Sequence, residues 1–206
     1  MITSKTNPAV SIVVPIHATM EHGDYFLWRL IQSVMSQTFK DYEIIITQDG
    51  SMPVNSNAGI KKARGEIIKI LYLDDYLAHP DSLKNIVDAF SPKTQWLVTG
   101  CLHQKNEGDP EGPHYPQWND ELYTGKNSIG SPSVLSFRNE AHLLFDESLT
   151  WLLDCDLYKR YYDQYGPPTI LDDLNVVIGT GKHQSTYLIS NERKSKEYEY
   201  LIKKYT

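Results

Sequence analysis

Residues 66–75 read Glu-Ile-Ile-Lys-Ile-Leu-Tyr-Leu-Asp-Asp, an apolar run broken off by two adjacent carboxylates. Its length and β-branched content predict a buried strand over 66–73 that ends at Asp74-Asp75. The same form recurs upstream. Residues 11–15 (SIVVP) are a β-branched run closed by proline and followed by Ile16-His17. Residues 42–47 (YEIIIT) run into Gln48-Asp49-Gly50-Ser51, which is turn chemistry. Helical patterns lie between the runs. Phe26, Leu27, Leu30, Ile31, Val34 and Met35 share one helical face behind a capping residue at Asp24. Residues 57–64 and 80–90 read as two shorter helices, and 95–99 (QWLVT) as a fourth strand. This alternation predicts an α/β fold with a mostly parallel central sheet flanked by helices. Ligands of such sheets bind beyond the carboxyl ends of the strands. Three polar clusters fall there: Ile16-His17, Gln48-Asp49-Gly50 and Asp74-Asp75.

The second half is less regular. Residues 105–127 are rich in Gly, Pro, Asp and Asn and read as a long irregular loop of the kind that serves as a lid or binding segment. A strand is expected at 133–138, a helix at 152–165, further apolar structure at 170–178, and a polar turn at 179–186 (GTGKHQST). Residues 192–206 are charged, helical in pattern and expected to be peripheral.

The chain has 206 residues and a formal net charge of −6, with 20 Lys plus Arg against 26 Asp plus Glu. That size fits one core, and the acidic balance argues against nonspecific nucleic-acid binding. Only Cys101 and Cys155 are present, too few for a disulfide framework or a zinc ligand set, so a reducing compartment is the simpler reading. No apolar run reaches the roughly 18 residues of a membrane span. The N-terminus lacks the basic-then-apolar pattern of a signal peptide. A cytoplasmic protein is expected, with peripheral membrane association left open.

Adjacent carboxylates at a strand end repel one another unless a cation or donors sit between them. Hard oxygen ligands of this kind suit Mg²⁺ or Mn²⁺; a solvated acidic turn is the alternative for Asp74-Asp75. Asp49 can accept hydrogen bonds from a base or ribose, or simply form an Asx-turn. Asp154 and Asp156 are two apart on a helix, so at most one points into a given cleft. Such a residue can act as a general base or complement the helix dipole. His183 can offer an imidazole nitrogen to a metal and Lys182 can reach a phosphate, although loop residues of these types are commonly only solvated. Trp118 and Trp151 suit stacking on sugar rings or packing into the core. The absence of G-x-G-x-x-G, a P-loop and G-x-S-x-G speaks against dinucleotide-binding, P-loop and α/β-hydrolase readings.

Taken in order, these segments resemble the family 2 glycosyltransferases of GT-A fold. The likeness rests on SIVVPIH, LIQSVMSQTFKDYEIIITQDGS, NAGIKKARGEIIKILYLDD, HPDSL, SPSVLSFR, FDESL, LLDCDLYKR and GKHQST, and spans most of residues 10–190. It implies a single GT-A-like domain, with a nucleotide-sugar-binding half over about 10–100 and an acceptor-binding half over about 101–190. Carried over by position, it places Pro15, Ile16 and His17 at the nucleotide, Asp49 at the base, Asp74 at the ribose or metal shell, and Asp75 on the metal. Asp154 becomes the general base, and His183 and Lys182 lie near the metal and pyrophosphate. The implied reaction is metal-dependent, inverting transfer from a nucleotide-diphosphate sugar to a hydroxyl of a glycan or glycolipid, with Mn²⁺ or Mg²⁺ as cofactor. Trp118 and Trp151 are candidates for the acceptor wall. The chain departs from the family pattern in three places. Residues 50–57 are much shorter, Leu153 stands where Glu is common, and Tyr72-Leu73-Asp74-Asp75 keeps only the last two acidic residues of the metal motif. The shortened pocket motivates a second reading, a non-catalytic nucleotide- or sugar-binding module. A third, glycosylation of modified DNA bases, is opposed by the acidic balance.

Overall fold

A computed structural model describes residues 7–17, 23–48, 50–105, 108–182 and 184–206. The first expected strand, β1 (Val10–Pro15), is buried along its whole length, as a run with apolar residues on both faces requires. After it come α1 (Gly23–Met35), β2 (Tyr42–Thr47), α2 (Met52–Lys62) and β3 (Ile67–Ile70). β1 pairs in parallel with β2 on one side and with β3 on the other. α2 starts five residues before the expected position, because Ser51 feeds straight into it with Pro53 in its first turn.

The chain continues through β4 (Tyr76–Leu77), α3 (Ser82–Asp88), β5 (Trp96–Lys105), β6 (Glu111–His114), β7 (Leu135–Arg138), α4 (Leu153–Tyr165), β8 (Thr169–Thr180), α5 (Ser185–Leu188) and α6 (Asn191–Tyr205). The sheet runs β2-β1-β3-β7-β5-β8-β4, with β6 paired to β5. β7 is antiparallel to both β3 and β5, and β8 runs parallel to β5. Five strands, β1, β2, β3, β5 and β8, therefore point one way, which gives the mixed but mostly parallel α/β sheet expected. β4 and β6 escaped the sequence reading, the first because two residues carry no periodicity. The segment read as irregular contains β6 and a 3-10 turn at Leu122–Thr124.

The core joins the inner faces of β1, β3, β5 and β7 to α4, where Trp96 stacks on Tyr161 at 5.4 Å and on Tyr158 at 6.3 Å. α6, expected to be peripheral, buries Glu197 and Leu201.

Candidate functional site

Beyond the carboxyl end of β3 the chain turns through Asp74-Asp75 and meets the end of β8 from the other side of the sheet. The approach is so close that a β-carbon on Gly179 would lie 2.3 Å from the Asp74 carbonyl oxygen, so only glycine fits there. Asp75 is buried, and its Oδ1 accepts the Gly179 amide at 2.8 Å. The Ser131 hydroxyl donates to Oδ2 at 3.4 Å. Burial, reinforced by the neighbouring charge of Asp74, pushes the Asp75 carboxyl well above the usual carboxylate range, and the Ser133 hydroxyl, the Gly179 amide and the Arg29 charge pull it partly back. Lys69, fully buried on β3, donates to the Ser133 carbonyl. Burial lowers its ammonium to about 7 against the opposing influence of Asp75.

Asp74 is half-buried. Its carbonyl accepts from Arg29 Nη2 at 2.5 Å, while Arg29 Nη1 holds Gln104 at 2.6 Å and the guanidinium lies 4.5 Å from the Tyr76 ring centre. Arg29 thus ties α1 to the ends of β3 and β5.

Asp154 stands in the first turn of α4. Its Oδ2 accepts from Asn127 Nδ2 at 2.8 Å and its Oδ1 from the Cys155 amide at 2.8 Å. The residue is half-buried, and desolvation raises its carboxyl to about 6 although these hydrogen bonds oppose the rise. Asp156, two residues on, faces away and is held by Lys204 at 2.6 Å and the Tyr205 hydroxyl at 2.7 Å. The pair therefore splits as helical geometry demands.

The Tyr72 hydroxyl reports the convergence of the two regions. Burial raises its pKa, and the charges of Asp154, Asp75 and Asp74 all add to the rise. Residues 127–133 form a strap between them. Asn127 reaches Asp154 and Ser131 reaches Asp75, while Ser133 Oγ accepts the Tyr72 amide at 2.8 Å. Tyr158 secures the strap by donating to the Gly130 and Ser131 carbonyls at 3.2 and 3.0 Å. Asn127, Ser131, Ser133, Arg29 and Gly179 were all missed by sequence reasoning. Small polar residues in a loop carry no pattern until their partners are known.

The remaining expected residues are scattered. Pro15 is buried at the end of β1, Ile16 is half-buried and His17 exposed. The Ile16 amide donates to the Thr47 carbonyl at 2.8 Å and its carbonyl accepts from Asn55 at 2.7 Å, so Asn55 stitches the ends of β1 and β2 together. Lys182 is exposed just past β8. Asp49 and His183 lie outside the described residues. Trp118 has one face stacked on Tyr162 at 3.8 Å, nearly parallel, and its indole N–H donates to Asp120. Trp151 packs against the core beneath Lys194. Among the described residues no three His, Cys, Asp or Glu side chains gather as a metal cluster, and no helix is long and apolar enough to cross a membrane.

No family model matches the chain. It is 23% identical over 238 aligned positions to the putative colanic acid biosynthesis glycosyl transferase WcaA of Escherichia coli K12, covering 98% of this chain and 82% of that one. An uncharacterized glycosyltransferase of Rickettsia typhi is 25% identical, over 95% of this chain and 70% of its own. Both alignments are longer than the 206-residue chain, so the relatives carry residues that this chain lacks. Among solved structures, Staphylococcus aureus TarS 1–349 superposes with a TM-score of 0.63 at 14% identity, over 96% of this chain and 72% of that one. The mannosyltransferase PcManGT from Pyrobaculum calidifontis, in complex with GDP-Man and Mn²⁺, gives 0.57 at 13% identity, over 88% and 59%. Relatives and fold neighbours together support a transferase. At these identities the solved structures establish the fold, and the transferase's chemistry rests on its own residues.

Proposed function

We propose that this transferase moves a sugar from a nucleotide-diphosphate donor to an acceptor hydroxyl with inversion at the anomeric carbon, in the manner of family 2 enzymes. The observation that carries the reading is that one strap, residues 127–133, hydrogen-bonds Asp154 through Asn127, Asp75 through Ser131 and the Tyr72 amide through Ser133, with Asp154 half-buried and raised to about 6. A base with that pKa is mostly ionised at neutral pH and still accepts a proton readily. Asp154 takes the proton of the acceptor hydroxyl while the hydroxyl oxygen bonds to the anomeric carbon and the bond to the diphosphate oxygen breaks. Asn127 and the Cys155 amide fix the carboxylate for that transfer. TarS in complex with UDP-GlcNAc and PcManGT with GDP-Man support the donor class.

The donor lies along the strand ends, with Pro15, Ile16, His17 and Asp49 at the nucleotide and Lys182 near the diphosphate. Residues 10–100 form the donor half and 101–190 the acceptor half. The acceptor is a glycan or glycolipid reached at a cytoplasmic or membrane-peripheral location. Trp118 and Trp151 border the acceptor half from packed positions.

Mg²⁺ and Mn²⁺ are commonly held by one or two carboxylates together with substrate phosphates rather than by an all-protein cage. The strand end fits that mode through its adjacent carboxylates, Asp74 half-buried and Asp75 buried with its oxygens accepting from Gly179 and Ser131. Asp75 is the proposed ligand, with Asp74 in the ribose or metal shell and His183 as a second ligand. A bound cation would supply charge neutralisation for the leaving diphosphate.

The test is a thermal-shift screen of UDP-GlcNAc, GDP-Man and the free nucleotides, with and without Mn²⁺, followed by donor turnover in Asp154→Asn. A ligand that binds the folded state raises the Tm. Absence of any shift sinks the donor site. Shifts without turnover in the parent protein favour the binding module, a reading that the direct passage from Ser51 into α2 keeps in play.

A further inference from the structure

Glu197 is a carboxylate with 3% of its surface exposed, on a helix whose sequence reads as a solvated surface helix. Its oxygens are spent on the segment that leads into α4. Oε1 accepts the Thr150 amide at 2.9 Å; Oε2 accepts the Trp151 amide at 2.8 Å and the Leu152 amide at 3.1 Å. Arg193, one turn earlier, donates Nε to Oε1 at 2.7 Å and reaches the Ser148 carbonyl. α4 needs this support. Its cap position is Leu152, which has no side-chain acceptor, and Glu197 takes the amide of that residue together with those of the two residues before it. A carboxylate there also complements the helix dipole. Further along, Lys204 and Tyr205 of α6 grip Asp156. α6 is thus fastened to the first turn of α4 on both sides of Asp154.

We infer that Glu197 is a positioning residue for the reaction: from another helix it holds the Thr150–Leu152 turn that leads into α4 and so sets where the Asp154 carboxylate stands. The inference rests on the reading of Asp154 as the base. It makes residues 191–206 part of the acceptor-side machinery. Misplacement of a reacting group by about 1 Å can cost on the order of 10²-fold in rate.

The experiment is Glu197→Gln, which keeps the shape but turns an amide N–H₂ toward backbone N–H groups. The expected result is a cooperatively folded protein whose Tm rises with UDP-GlcNAc or GDP-Man as in the parent, and whose donor turnover falls on the order of 10²-fold. Turnover within twofold of the parent in a folded variant overturns the inference, as does loss of donor binding in proportion to turnover. If Glu197→Gln does not fold, Arg193→Ala decides the matter, with a several-fold fall in turnover expected and unchanged turnover overturning it. If the parent turns over no donor, the functional reading fails on its own. The inference is then read from a ¹³C NMR titration of the Asp154 carboxyl. An upward shift in Glu197→Gln, from a loosened Cys155 amide, supports positioning; coincident curves refute it.

Discussion

Two carboxylates, Asp75 beyond β3 and Asp154 in the first turn of α4, are joined by the strap at 127–133, and burial raises the pKa of both. They differ in what surrounds them. Asp75 is inside the protein and hydrogen-bonds β8 through Gly179 and the strap through Ser131. Asp154 also has a donor on each oxygen, Asn127 on Oδ2 and the Cys155 amide on Oδ1, but it is only half-buried. Burial alone does not mark a reactive group, since a buried carboxylate whose oxygens are committed to the fold is a fastener. One that keeps part of its surface exposed can take up a proton.

The largest test of that contrast is Asp154→Asn. Transfer should fall about 10²–10⁴-fold, the usual worth of a positioned base, while the donor-induced Tm shift survives. Equal losses of binding and turnover would erase the distinction between the two sites. Next is Asp75→Ala, which leaves the buried Gly179 amide without its acceptor. Unfolding in denaturant should show a loss of about 1–3 kcal/mol for that orphaned group, with Asp75→Asn much closer to the parent. A third test concerns pH. The active form of Asp154 is the ionised one, so turnover should climb as pH rises through about 6 and flatten above it. The linkage has the opposite sense. A carboxyl raised from 3.8 to about 6 on folding favours the folded state at low pH, and that advantage is lost as pH rises through the folded value. Asp154→Asn should therefore melt higher than the parent at pH 8 and at nearly the same temperature at pH 3. The smallest effect is expected for Asn127→Ala. Losing a hydrogen bond that lowers the Asp154 pKa should move the acid limb of the rate profile upward by less than one pH unit, with little change on the plateau.

Much of the first half of the chain was legible because its strands are continuous apolar runs that end in polar clusters, a pattern set by burial on both faces. Asp74, Asp75 and Asp154 were legible as types at positions. Their surroundings were not, because these depend on hydrogen bonds from Gly179, Ser131 and Asn127, which are 104, 56 and 27 residues away from their partners. The C-terminal helix misled for a related reason. Its pattern is charged and mostly exposed, and the one turn that places Glu197 beneath the start of α4 looks like any other i, i+4 ion pair with Arg193. The two tryptophans were chosen for their chemistry, and the stacking of Trp118 on Tyr162 shows packing claiming at least one face.

The strap at residues 127–133 has a consequence for genetics. Within seven residues it touches Asp154, Asp75 and the backbone of Tyr72, so a change in it shifts both halves of the cleft together. Substitutions there will not sort into donor-deficient and acceptor-deficient classes. They should appear as mixed phenotypes, in which second-site suppressors arise in either half.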